Sequence, residues 1–485
     1  MFSKKFAIPL IAILVVILLL SVLVLAFQQL AVQQAAAQTD NLPFTINTYG
    51  NAWNGILAFG ANDYLIVMNT NGTILALRSS SSNYGVVKNI ATDTLLFQGE
   101  PWNLSIQSAP TYATHIWNIA NNTTQDYPNV IGHHDIDYNP INNTFLTLQN
   151  SVRQVGNNSY LFDKIVELDP SGNLLWSWDT YDHIPVTEAD IYNLTSTVDN
   201  QTVIDFTHAN ALIWDYNNSV IYLNSRHTNT FYKINQTTGN IIWACGEFGN
   251  FTFLDTNGNA VPALWYHGHD LEQVAPDVFT MFNNDFDNVT NYNDSNSQLI
   301  EFTLNEQNMT AKENWSWTAP KQYYTTYLGA ADILPNGDWI GDFGSPTHQF
   351  PENQPWNFTD TGAILFEVNP AGQIVRTITF PTTWSIYRID VVTNLSQNAF
   401  SYEATPTPTV SPTITPTLTA TITATPTASP SPSPTNTPTA SPTATPKPQS
   451  SPNSLIILEI AVPVIAVVIA LVVFALYKKK KSKLP

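Results

Sequence analysis

Three histidines, His134, His208 and His269, and one arginine, Arg226, are the residues of this chain best suited to act together. Each histidine heads a copy of the same phrase: HDIDYNPINNTFLTL, HANALIWDYNNSVIYL and HDLEQVAPDVFTMF. A fourth copy, GAADILPNGDWIGDF, has Gly329 in that place. A lone histidine in a strand-rich protein is usually a surface or hydrogen-bonded residue. Three at one repeat position are harder to ascribe to accident, although each can also tie down a turn by hydrogen bonding. Imidazoles grouped in this way offer a nucleophile, a base or a metal-binding set.

Arg226 narrows that choice. It follows His208 at the end of the next strand, so a down-and-back hairpin returns it to that histidine. A guanidinium there repels a metal cation and favours a tetrahedral oxyanion, which it holds by paired hydrogen bonds. A salt bridge at the rim is the plainer role for Arg226, and a three-histidine zinc site is the competing catalytic one, lacking a compact ligand spacing. Strand alternation predicts that His133 and His227 point away from the site, whereas His267 can share a face with His269. Asp135 and Asp270 either orient an imidazole or close an Asx turn, the turn being favoured. Asn283, Asn284 and Asp285 are expected to make the next turn. His115, His183 and His348 follow no pattern, and Cys245, the lone cysteine, reads as a small buried hydrophobe.

The elements that must carry these residues are short strands. Segments such as Leu65 to Met68, Val220 to Leu223 and Ile364 to Val368 are apolar or β-branched, and Asn, Asp, Gly or Pro bounds each one. A second phrase alternates with the histidine phrase: a strand, a Gly turn and a strand that often closes on Trp, as in KIVELDPSGNLLWSW and YKINQTTGNIIWAC. Its turn glycines Gly172, Gly239 and Gly372 fall at multiples of roughly 67 residues, a period that suits four-stranded blades. The expectation is an all-β fold, a six-bladed β-propeller over residues 41–401, with five or seven blades open. Equivalent positions of a propeller are related by rotation about its axis. Histidines at the inner mouth of successive blades therefore converge.

The remainder of the chain sets the context. With 485 residues, a net charge of −19 and a sequence pI near 4.6, the chain lacks the clustered cations that a nucleic-acid partner requires. Residues 1–37 read as a signal peptide or signal anchor. Residues 404–452, rich in Thr, Pro and Ser, read as a stalk. Residues 455–477 read as a transmembrane helix and 478–485 as a basic cytoplasmic tail, which places the propeller outside the cell. About seventeen Asn-x-Ser/Thr triplets agree with an exported, glycosylated domain.

The ordered motifs resemble the arylsulfotransferase family of exported six-bladed propellers. They are HHD at His133 to Asp135, His208 with Arg226 inside THANALIWDYNNSVIYLNSR, TGNIIWACG, HGHD at His267 to Asp270 followed by FNND, and Tyr387-Arg388. The resemblance implies transfer of a sulfuryl group from a phenolic sulfate ester to a phenol acceptor, without a nucleotide donor, cofactor or metal. It implies His269 as the nucleophile that becomes sulfated, with His134, His208 and Arg226 as the clamp on the sulfuryl oxygens. A glycosylated surface-binding propeller and a metal-dependent hydrolase are the readings from other classes.

Overall fold

The computed structural model describes residues 44–400 except 62–63, 80–83, 100–112, 189–193, 199–200, 287–294, 345–361, 383 and 398. The chain divides into two compact units, Met1–Val410 and Ser411–Pro485. The expected signal or anchor segment, stalk, transmembrane helix and basic tail lie outside the described residues, as does His348. Among the described residues no helix is long and apolar enough to cross a membrane.

The described residues form six antiparallel-based sheets. The strand that leads each sheet from the inside is numbered here in chain order: β1 (Tyr84–Ala91), β2 (His133–Asn139), β3 (Ala209–Asp215), β4 (His269–Ala275), β5 (Ala330–Ile333) and β6 (Ile386–Val392). Each lies against the next, and β6 lies against both β5 and β1. The sheet led by β6 joins the two ends of the domain, since β6 pairs antiparallel with Ile56–Ala61, which pairs in turn with Tyr64–Asn69. A second join is made where Thr45–Thr48 pairs with Ile374–Thr379 in the sheet led by β5.

Local sequence explains the turns and the layering. In the Asp169 turn the carboxylate Oδ1 accepts from Ser171 N and Asn173 N, and Gly172 takes a φ of +81°, open to glycine at little cost. Gly372, also left-handed, repeats that turn with Asn369 in place of Asp169, while the left-handed Gly239 closes a turn one residue longer from Asn235. The Trp that closes the strand phrase packs on the Gly turn of the following sheet: Trp178 Nε1 donates to Gly239 O at 2.8 Å. Between the sheets led by β3 and β4, Phe231, Trp265, Phe279 and Phe302 form one buried aromatic cluster. Each such ring removes on the order of 150–250 Å² from water, so these seams rather than any disulfide hold the sheets together. Cys245 is buried within this cluster, and burial pushes its thiol pKa up, as expected of a packing residue.

Candidate active site

The inner strands begin with a break in the pleat. His134 has φ +61° and His208 φ +45°, while beside His269 it is Asp270, at φ +55°, that turns left-handed. The pairing register slips at the same places, between Thr147 and Leu148 opposite β2, between Ala209 and Ala211 in β3, and between His269 and Glu272 in β4. Such bulges re-aim side chains at the ends of strands. Here they bring the His134 and His208 rings to 4.9 Å between centroids, with Tyr387 5.7 Å from His134 and 6.4 Å from His269.

His269 is held in one tautomer. Its Nδ1 lies 2.7 Å from Asn284 Oδ1, and Asn284 Nδ2 donates to Thr325 O and Leu328 O, both at 2.9 Å, so the amide cannot be turned the other way. Nδ1 must therefore carry the hydrogen. Consistently, Leu328 N–H points to His269 Nε2 at 3.3 Å, which makes Nε2 the lone-pair nitrogen. Burial, reinforced by the charge of Arg226, holds the His269 pKa well below the usual imidazole value, so the ring is neutral. Asn284 is thus a positioning residue, and the expectation that it only makes a turn is corrected. The hairpin reasoning that returns Arg226 to His208 would have found it, because Phe282 pairs with His269 two residues earlier.

The hairpin from β3 does return Arg226, whose backbone N donates to His208 O at 3.3 Å. Arg226 Nη2 donates to Thr326 O at 3.1 Å, and Nη1 contacts His227 Nε2. His227 therefore faces the site, its ring 4.6 Å from that of His208 and 5.3 Å from that of His267. Strand alternation fails because residues 226–228 form a 3₁₀ turn rather than a strand. His133 also turns inward: its Nδ1 lies 2.7 Å from His134 Nδ1, the left-handed His134 having cancelled the alternation. His133 Nε2 reaches Asp163 Oδ1 at 3.3 Å. Asp205 Oδ2 takes His208 Nδ1 at 2.8 Å. Burial alone would raise the Asp205 carboxyl, but His208 and His227 outweigh it and hold that pKa below the usual carboxylate range.

Beneath this layer Arg388 ties three sheets together. Its guanidinium meets Asp135 Oδ2 at 3.1 Å, Asp270 Oδ1 at 2.8 Å and Asn210 O at 2.8 Å. The same two carboxylates reach backbone N–H groups of the next inner strand, Asp135 to Leu212 at 2.8 Å and Asp270 to Ala331 at 3.0 Å. Asp137 does so to Trp214 and Asp390 to Asn89. Asp135 and Asp270 therefore neither orient an imidazole nor simply close a turn; they bridge sheets, which corrects the turn reading. In the sequence Arg388 stands out only within a family phrase, since a hub made from four strands has no local signature.

The arrangement also bears on metals. Among the described residues His134, His208 and His269 do not present three ligand atoms within 4.8 Å of one another, whereas Asp205, His208 and His227 do. In that second group His227 has no lone pair to give: Nδ1 meets Asp205 O at 2.7 Å as a donor, and Nε2 faces the Arg226 guanidinium as an acceptor. With Arg226 beside it, the cluster suits an anion.

The arylsulfotransferase (ASST) family model matches residues 118–388, more than half of the chain and the stretch that holds every residue of this cluster. The chain belongs to the arylsulfotransferase family. It is thereby an arylsulfotransferase-like transferase in general terms. Among curated proteins none matches at a significant level. Solved structures similar to this chain include a Bacteroides caccae protein of unknown function (10% identity, 70% of this chain and 99% of that one, TM-score 0.36). Another is the Pseudomonas aeruginosa periplasmic gluconolactonase PpgL (10% identity, 70% and 99%, TM-score 0.36). A third is a nidogen/laminin complex (7% identity, 70% and 99%, TM-score 0.35). A cavity of about 280 Å³ is lined by Asn229, Glu247, Phe251, Phe253, Trp265 and Tyr266, and by none of His134, His208, Arg226 and His269; Asn229 Oδ1 accepts from His267 N at 2.7 Å.

Proposed function

We propose that this protein transfers a sulfuryl group from a phenolic sulfate ester to a phenol through a sulfohistidine on His269. The observation that carries the proposal is the neutral His269 ring, its Nδ1–H held by Asn284, its Nε2 lone pair met by a long 3.3 Å approach of Leu328 N–H, and its pKa lowered by burial and the charge of Arg226. In the first displacement Nε2 forms a bond to sulfur, the sulfur–oxygen bond to the aryl group breaks and phenolate leaves. Arg226 and His208 hold the sulfuryl oxygens as charge develops. In the second displacement the acceptor oxygen bonds to sulfur and the nitrogen–sulfur bond breaks.

The acceptor must lose a proton in that step. The Asp163 carboxylate, 3.3 Å from His133 Nε2, favours a hydrogen on that nitrogen without forming a hydrogen bond to it; His133 Nδ1 then accepts from His134 Nδ1–H, and His134 Nε2 carries the lone pair. His134 is accordingly assigned to take the proton of the entering phenol, in place of the clamp role that the family resemblance implies. Burial, then the neighbouring His133 and His208, lowers its pKa well below the usual value, so the ring enters this step unprotonated and takes up the proton only as the new oxygen–sulfur bond forms.

In this reading the six sheets are the blades of a closed propeller, and the site lies at one end of its axis. The segment at 455–477 tethers the domain to the membrane and 1–37 serves as signal peptide or signal anchor, with 404–452 as the stalk and the propeller extracellular. The test is an assay of the purified full-length protein with an aryl sulfate that releases a coloured phenol, with and without acceptor, alongside His269→Ala. Acceptor-dependent release that disappears in the variant supports the reading. Absence of release across a panel of aryl sulfates would contradict it and favour a binding propeller.

A further inference from the structure

On the side of the Arg388 layer away from the histidines, the inner strands gather carboxylates faster than cations. One carboxylate oxygen from each of Asp270, Glu272 and Asp332 lies within 4.8 Å of the other two. These residues come from β4 and β5, adjacent strands of a rigid inner ring. Asp332 is only 8% exposed and its Oδ2 has no hydrogen-bond partner. Asp342, on the strand paired with β5, is fully buried with neither carboxylate oxygen hydrogen-bonded. The cations at hand are already engaged: Lys88 Nζ sits 2.7 Å from both Asp135 and Asp137, and Arg388 spans Asp135 and Asp270.

A buried carboxylate oxygen without a donor is costly unless a proton or a cation meets it. Every side-chain ligand here is a carboxylate oxygen, which suits a hard cation and not zinc or copper. Three carboxylates held on two strands fix positions without imposing an octahedron, the habit of calcium rather than magnesium. We propose that Asp270, Glu272 and Asp332 form a calcium site on the inner ring, with Asp332 its least substitutable ligand. The ion joins β4 to β5 and neutralises the carboxylate excess beneath the transfer site.

The experiment is calorimetric titration of the purified full-length protein with calcium chloride after chelator treatment, compared with magnesium chloride. Saturable binding of one calcium per chain is expected, weakened about tenfold or more in Asp332→Asn and in Glu272→Gln. The exposed-surface variant Asp126→Asn should bind as the parent does. Calcium should also raise the thermal midpoint of the parent and not that of Asp332→Asn. Circular dichroism checks that each variant is folded; if Asp332→Asn is not, Glu272→Gln decides. No saturable calcium binding, calcium binding unchanged in the folded variants, or binding of magnesium alone would overturn the assignment.

Discussion

Asn284 Oδ1 lies 2.7 Å from His269 Nδ1, and the same amide is locked by two donations to the backbone carbonyls of Thr325 and Leu328. A hydrogen bond anchored in this way fixes both the orientation of the imidazole and which nitrogen carries the lone pair. Asn284→Ala frees the ring to rotate and exchange tautomers. The expected result is a fall in kcat of about 10–100-fold with KM little changed, because only the reactive form of the nucleophile is depleted. Steady-state kinetics with an aryl sulfate, on protein shown by circular dichroism to be folded, checks this. A large rise in KM with normal kcat would point instead to a binding role for Asn284.

His134 and His269 serve different half-reactions in this account. His134→Gln should leave the first release of phenolate nearly intact and slow turnover by about 100-fold, as expected when a general base is removed. Rapid mixing would then show a burst of one phenol per chain followed by slow release. Loss of the burst itself would return His134 to the oxyanion clamp.

Arg388 touches no reacting atom, yet it joins β6 to β2, β3 and β4. Arg388→Met leaves Asp135 and Asp270 buried without their shared cation. A loss of about 3–5 kcal/mol of stability is expected, read from urea unfolding. A change below about 1 kcal/mol would show that Lys88 and the backbone N–H groups suffice to hold these carboxylates.

His267 is fully buried, and burial, followed by the charges of Arg226 and His208, lowers its pKa well below the usual value. The unfolded chain therefore takes up a proton at this residue that the folded chain refuses. Its contribution to stability is present above pH about 6.5 and is lost as pH falls below that value toward the folded pKa. Against a His267→Gln variant, the stability advantage of the parent protein should shrink by about 1.4 kcal/mol per pH unit below 6.5. Urea unfolding of both proteins at several pH values measures it, and a difference that does not vary with pH would contradict the buried neutral state.

Much of the site was legible because it repeats. The phrase beginning at His134, His208 and His269 marked three equivalent strand starts, and the hairpin length placed Arg226 beside His208. The same length argument applied to His269 points to Asn284, and was not pursued because Asn-Asn-Asp reads locally as a turn. His133 and His227 were misplaced since alternation assumes an unbroken pleat. A left-handed His134 and a 3₁₀ turn at Arg226 interrupt it. Asp163 was silent in sequence, and Arg388 showed only within a family phrase, because their partners lie on strands far apart in the chain. The rhythm of the sheets was visible in the Gly turns, whereas the extra strands Thr195–Val198 and Gln201–Asp205, added by parallel pairing at Tyr160 and Leu161, had no repeat to announce them.

The central claim is that His269 carries the sulfuryl group between donor and acceptor. The most direct measurement is intact-protein and peptide mass spectrometry of the full-length chain mixed with an aryl sulfate in the absence of acceptor, quenched at alkaline pH to protect a nitrogen–sulfur bond. The account predicts one added sulfuryl group per chain on the peptide that contains His269, discharged by phenol and absent in His269→Ala. Turnover without any protein-bound sulfuryl group, or the group found on another residue and retained in His269→Ala, would contradict it.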